Sequence, residues 1–300
     1  MVLEQVLKSY LEYICGQNNV RENVSMKNYT TFHVGGPARF FVKVTSKKML
    51  LRLISALNFI EYKYRVIGGG SNLLVSDKGF DGVIIKLDYR DIVENGHFIY
   101  ADAGAPLHAV VNKAMELGLG GLEFAYGLPG TVGGAIFGNA GAFGSNMASV
   151  VPMVDVLVNG EIKSMDAFQC KFAYRTSFFQ NNRHYIILGA YFSLVKRDTD
   201  IIKQNQEQYL AARKMSQPGG FSAGSVFRNP PDKSAGQLID GLGLKNLRIG
   251  GAVVSDKHAN FIINDGTATA GDIIKLIRTI KKRVRDAYGI NLKTEIEIIT

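Results

Sequence analysis

Two glycine-dense segments carry the most legible chemistry in this chain. Residues 68–72 read GGGSN and close an apolar run, and residues 127–134 read GLPGTVGG. Glycine lacks a β-carbon, so its backbone approaches a ligand closely and accepts positive φ. Successive peptide N–H groups then converge on an anion. Two such loops, joined by GNAGAFG at 138–144, suit a diphosphate gripped by backbone rather than by a lysine. The bland alternative is that these glycines serve tight turns only. A Walker A loop is absent. No strict G-x-G-x-x-G is present either, because Leu73 stands where a third glycine belongs. A nucleotide cofactor bound here therefore uses a different cradle.

A second constellation points elsewhere. Residues 220–224 (GFSAG) match G-x-S-x-G, the nucleophile elbow of hydrolases, and Asp240 and His258 follow in suitable order. An elbow sits between a strand and a helix. Here the turn sequence Gln217-Pro218-Gly219 precedes the motif and apolar Val226 and Phe227 follow it. A serine hydrolase is thus the rival enzyme reading, and a non-catalytic nucleotide-binding module is a third. The histidines (His33, His97, His108, His184, His258) form no HxH or HxxxH pair, so no metal site is expected. His258 stands out because residues 257–260 (KHAN) lie just before an expected strand. Taken singly, Tyr174–Arg175, Ser225 and Glu295 read as a solvated charge, a turn residue and an exposed strand residue.

The elements that must position these residues alternate between helix and strand. A helix with Leu3, Val6, Leu7, Tyr10, Leu11 and Ile14 at helical spacing opens the chain, and Gly16 ends it. That pattern is not a secretory signal. Residues 25–37 read as loop and turn. A helix over 46–59 capped by Ser46, then strands at 62–67, 73–75 and 82–87, form a small α/β unit. Pro106 opens a helix that Gly118 ends. Residues 120–149 are too rich in glycine for regular helix. Strands follow at 150–158 and 185–195, with a polar helix from 198 to about 214. The last third holds the segment 225–228, a helix near 235–242, a strand at 260–263, and a helix from about 270 to 288. Thr269 and Asp272 resemble a capping box there, and Gly289 suits the C-cap. Residues 294–299 (TEIEII) alternate like a strand.

The 300 residues suffice for two or three domains, and no apolar run is long enough for a membrane span. The only cysteines, Cys15 and Cys170, lack metal-site spacing, which fits a reduced, cytoplasmic protein. The net charge of +9 is read as serving an anionic small substrate and not nucleic acid. The densest basic cluster (Lys281, Lys282, Arg283, Arg285) backs onto an apolar helix face and is read as solvated.

Taken together, the motifs resemble the UDP-N-acetylenolpyruvoylglucosamine reductase family. The matching stretches are 30–37 (TTFHVGGP), 68–77 (GGGSNLLVSD), 127–134, 139–142 (NAGA), 174–177 (YRTS), 223–230 (AGSVFRNP), 249–264 (IGGAVVSDKHANFIIN) and 292–296 (LKTEI). They cover nearly the whole chain from about Asn28. The resemblance implies an α+β fold: a two-part FAD-binding region of the vanillyl-alcohol-oxidase type plus a third α+β substrate-binding domain. The expected division is 1–87 with 291–300, then 88–200, then 201–290 for substrate. It further implies non-covalent FAD held by Gly68, Gly69, Gly70, Ser71, Asn72, Pro129, Gly130, Thr131, Gly133 and Gly134. NADPH serves as hydride-donating co-substrate and UDP-N-acetylglucosamine enolpyruvate as substrate, in peptidoglycan precursor synthesis. Arg175, Ser225 and Glu295 carry over as catalytic, with Ser225 as proton donor. Tyr174, Arg213, Lys214, Asn229 and His258 carry over as substrate ligands. Phe143 stands where some members have tyrosine. No long insertion lies between Tyr185 and Gln208, so the chain resembles the shorter, second subtype.

Overall fold

The computed structural model describes residues 2–300, with side chains from Glu4 onward. The expectation for Leu3 therefore lies outside the described side chains. Two compact units emerge. The first holds the chain up to Glu22, Phe40–Gly69 and Gly82–Arg213; the second holds Asn23–Arg39, Gly70–Asp81 and Lys214–Thr300. The segments 70–81 and 291–300 both fall in the second unit, because Glu297–Ile299 pairs in parallel with Leu73–Val75. The division that the resemblance implies groups 291–300 with residues 1–87.

Two sheets lie wholly or mostly in the first unit. One runs in the order Val20–Ser25, Pro37–Val44, Phe80–Leu87, Tyr64–Ile67. The other runs Glu161–Asp166, Met153–Val158, Ile186–Ser193, Phe98–Asp102, Ile92–Asn95, all antiparallel. Ile186–Ser193 (IILGAYFS) is buried along almost its whole length, as a central strand requires, while Glu161–Asp166 (EIKSMD) is an exposed, charged edge. The helices Lys47–Phe59 and Leu107–Glu116 bury Leu50, Leu53, Val110 and Val111 in the same core. Ser46 caps the first, accepting from Met49 N at 3.1 Å.

The second unit has its own core, centred on Phe32, Val226, Phe227 and the helix Ala270–Tyr288. That helix buries Ile273, Leu276, Ile277, Ile280 and Val284, a stripe at the spacing that puts one face inward. Its N-terminus is a full capping box of Thr269 and Asp272, and Gly289 (φ 68°) closes it. Lys282, Arg283 and Arg285 lie on its exposed face.

The expectation that residues 120–149 hold no regular helix fails. Within residues 120–149 the structure contains the helix Val132–Phe137, despite Gly133 and Gly134. Thr131 caps it, accepting from Gly134 N at 3.4 Å, and tertiary packing overrides the poor propensity of glycine. The strands Pro37–Val44, Ile92–Asn95 and Phe98–Asp102 lie outside the strands expected from the sequence. Among the described residues, no helix is long and apolar enough to cross a membrane, and no cluster of His, Cys, Asp or Glu is arranged to hold a metal. Both cysteines are free and buried, and burial pushes the Cys170 thiol up to about 12.

Candidate active site

In the first unit the glycine loops close on each other. A β-carbon at Gly69 would stand 2.7 Å from Gly130 Cα, and one at Gly68 would stand 2.5 Å from Thr131 Oγ1. Gly133 packs as tightly on Ala103, where a β-carbon would meet the Ala103 Cβ at 2.9 Å. Its N–H donates to Ala103 O at 2.9 Å. From beneath, the Lys86 ammonium donates to Gly68 O. The result is a surface of bare peptide groups, with Gly69 and Gly134 exposed on it. A diphosphate can approach such a surface closely because no β-carbon stands in the way, so these residues fit FAD. The remainder of the first loop lies in the second unit. Gly70 (φ 73°) admits no side chain, because a β-carbon would fall 1.9 Å from Tyr29 O.

The same unit carries Arg175. It occupies a tight turn in which Ala173 and Thr176 exchange backbone hydrogen bonds of 3.1 Å. Its φ is +55°, a strained conformation for a non-glycine residue. Surrounding side chains impose that strain. Buried Asn139 donates to Ala173 O at 2.9 Å and accepts from Ala148 N at 3.0 Å. Gln180 donates to Arg175 O at 3.1 Å. The guanidinium donates through Nη1 to Gly141 O at 2.7 Å and lies 5.7 Å from the exposed Tyr174 ring.

Arg213 is buried and works locally. Nε donates to Tyr126 O at 3.1 Å, Nη2 donates to Phe124 O at 2.8 Å, and the group lies 4.9 Å over the Phe143 ring. Phe143 in turn stacks on Tyr209 at 4.4 Å. Burial, and then the charge of Arg175, pull Arg213 below the ordinary arginine range.

In the second unit Ser225 and Glu295 lie on paired segments. Glu295 N donates to Val226 O at 2.8 Å, and Phe227 pairs with Thr294. On the opposite edge Ser225 pairs with Phe261. Asn72, expected as a cofactor ligand, donates from Nδ2 to Glu295 O at 3.1 Å, and its own carbonyl accepts from Glu297 N at 2.9 Å. Asn229 uses its Oδ1 to accept from Ala235 N at 3.0 Å, starting the helix Ala235–Gly241. Lys214 is exposed, and its carbonyl accepts from the Lys257 ammonium. His258 is half-buried against Gly236, and its Nδ1 accepts from Asn260 N at 3.2 Å. Burial lowers its pKa below the usual 6.5.

These contacts remove the hydrolase reading. The chain after GFSAG runs as an extended segment, and the next helix begins only at Ala235. The Asp240 carboxylate pairs with Lys245 at 2.8 Å, not with His258. Sequence reasoning missed Asn260 and Asp77. Asp77 accepts from Ala270 N and Gly271 N at 2.8 and 2.7 Å, and Asn260 is buried beside Ser225's segment. The one available signal was their place inside the motifs 68–77 and 249–264.

Comparison with known proteins agrees with this geometry. A model of the FAD-binding domain family matches residues 38–166, and one of the C-terminal domain of UDP-N-acetylenolpyruvoylglucosamine reductase matches residues 216–299. A bare-peptide cradle inside an FAD-binding domain, joined to a reductase domain, defines an FAD-dependent oxidoreductase. The UDP-N-acetylenolpyruvoylglucosamine reductase of Caldanaerobacter subterraneus is 42% identical over 300 residues, covering 99% of both chains. That of Halalkalibacterium halodurans is 42% identical over 301 residues, again covering 99% of both. The crystal structure of the enzyme from Thermus caldophilus matches with a TM-score of 0.83 at 37% identity, over 94% of this chain and 100% of that one. The chain belongs to the UDP-N-acetylenolpyruvoylglucosamine reductase family.

Proposed function

We propose that the protein reduces the enolpyruvyl group of UDP-N-acetylglucosamine enolpyruvate to the lactyl ether of UDP-N-acetylmuramate, with NADPH as hydride donor. The observation that carries this reading is the pairing of the segments bearing Ser225 and Glu295, which fixes both residues in a single unit. FAD held on the glycine cradle would supply the hydride chemistry, from NADPH to the terminal enolpyruvyl carbon. The carbon–carbon π pair then moves toward the carboxylate and leaves an enolate. Arg175 stabilises that charge through its guanidinium fork. Glu295 positions or polarises the same group. Ser225 gives its hydroxyl proton to the adjacent carbon and regains one from water. A serine is a weak acid, and only so basic an intermediate makes it competent.

The division into two cofactor subdomains and a substrate domain belongs to this reading. So does a cytoplasmic location, which two free buried cysteines fit. Stopped-flow spectroscopy tests the whole. The purified protein should be yellow, bleach with NADPH, and regain colour anaerobically when the enolpyruvyl sugar nucleotide is added. Ser225→Ala should bleach normally and recolour about 10²–10⁴-fold more slowly. A colourless protein that takes up no FAD would sink the reading, and a Ser225→Ala loss below tenfold would remove the serine from it.

A further inference from the structure

We infer that Asn260 is the positioning residue for Ser225, acting through the backbone of residues 226 and 227. The inference rests on the reading of Ser225 as proton donor. Asn260 is only 4% exposed, yet every polar group it carries has a partner. Its backbone carbonyl accepts from Val226 N at 2.8 Å. Its Oδ1 accepts from Phe227 N at 2.9 Å, and its Nδ2 donates to Phe227 O at 2.8 Å. Its own N–H donates to His258 Nδ1.

The side-chain amide therefore acts as a substitute peptide group. A sheet ladder would need backbone opposite Phe227, but the partner strand is turning there, with Phe261 N donating to His258 O at 2.9 Å. The amide fills that gap and satisfies both polar groups of a residue that is 1% exposed. Across the segment, Val226 O accepts from Glu295 N and Arg228 N donates to Lys293 O at 2.9 Å. Residues 226–228 are thus held from two edges, one supplied by residues 293–295 and the other by Asn260. Ser225 immediately precedes this clamp, so the clamp sets the direction of its Cα–Cβ bond. A misplacement of about 1 Å in a reacting group can cost about 10²-fold in rate.

The test uses the FAD-loaded, full-length protein and separates the two half-reactions. Asn260→Ala should keep FAD and bleach with NADPH at the wild-type rate. Its recolouring with UDP-N-acetylglucosamine enolpyruvate should slow at least tenfold, with a larger solvent deuterium isotope effect as proton transfer becomes limiting. The double variant with Ser225→Ala should recolour no more slowly than Ser225→Ala alone, since Asn260 acts through that hydroxyl. Asn260→Asp, of equal size, keeps the acceptor for Phe227 N–H, and its rate should lie between wild type and Asn260→Ala. Recolouring of Asn260→Ala within twofold of wild type overturns the inference, as does a double variant slowed by the product of the single effects. Loss of FAD in both Asn260 variants assigns the residue to folding alone and also overturns it. A Ser225→Ala enzyme that recolours at the wild-type rate removes the proton-donor reading itself, and this inference with it. That result is distinct from a slow Ser225→Ala beside a fast Asn260→Ala.

Discussion

Arg213 and Arg175 show how two arginines of one unit divide their work. A guanidinium has five N–H donors in a fixed fork. Arg213 commits at least two of them to the carbonyls of Phe124 and Tyr126, so its first task is holding residues 124–126. Lysine cannot span both carbonyls, and Arg213→Lys should cost about 2 kcal/mol in denaturant unfolding. Arg175 sits in a strained turn beside an exposed tyrosine. On the proposed role of Arg175, Arg175→Lys should retain FAD and slow recolouring by roughly 10²-fold, because lysine cannot reproduce a guanidinium fork. His258 adds a dependence on pH. Its folded pKa lies below the unfolded value near 6.5, so the unfolded chain binds the proton more readily. The stability that neutral His258 contributes is complete above pH 6.5 and declines as pH falls through that value toward the folded pKa. Unfolding free energies measured from pH 7.5 to 5 should fall accordingly, and His258→Phe should flatten that slope.

The glycine loops act as one element, because each leaves space that the other fills. Gly69→Ala would drive a β-carbon into Gly130, and the cradle would have to part. The variant should fold, as judged by circular dichroism, and weaken FAD by at least about tenfold when flavin fluorescence is titrated. Unchanged affinity would mean that the diphosphate lies elsewhere. Asp77 plays the corresponding part at the helix Ala270–Tyr288, whose first free N–H groups it accepts with both oxygens. Its replacement by alanine should cost about 1 kcal/mol, the usual value of an N-terminal cap. The helix would remain, held by Thr269 and its apolar stripe.

The chain as a whole carries a net charge of +9, and its proposed substrates are anions. Screening by salt should therefore raise KM for the sugar nucleotide severalfold between low and moderate ionic strength, with kcat little changed. Much of the architecture was legible because local signals agreed with it: the Ser46 and Thr269 caps, the Gly289 stop and the alternation near residue 297 all have matching elements. The helix Val132–Phe137 was illegible, because its glycines serve tertiary contact with Ala103 at the expense of propensity. The glycine cradle was visible as composition. The tasks of Arg213, Asn72 and Asn260 were not, since each is defined by a partner outside its own segment.

The bond from Asn72 to Glu295 spans 223 positions, and the strand pair 73–75 with 297–299 spans as much. Contacts so distant in sequence form slowly, because a long loop must close before anything is gained. The hinge between early and late events in refolding thus runs through the GGGSN segment itself, half of which waits for residues near the end of the second unit. Secondary structure should consequently return first after dilution from denaturant, and quenching of flavin emission should lag behind it.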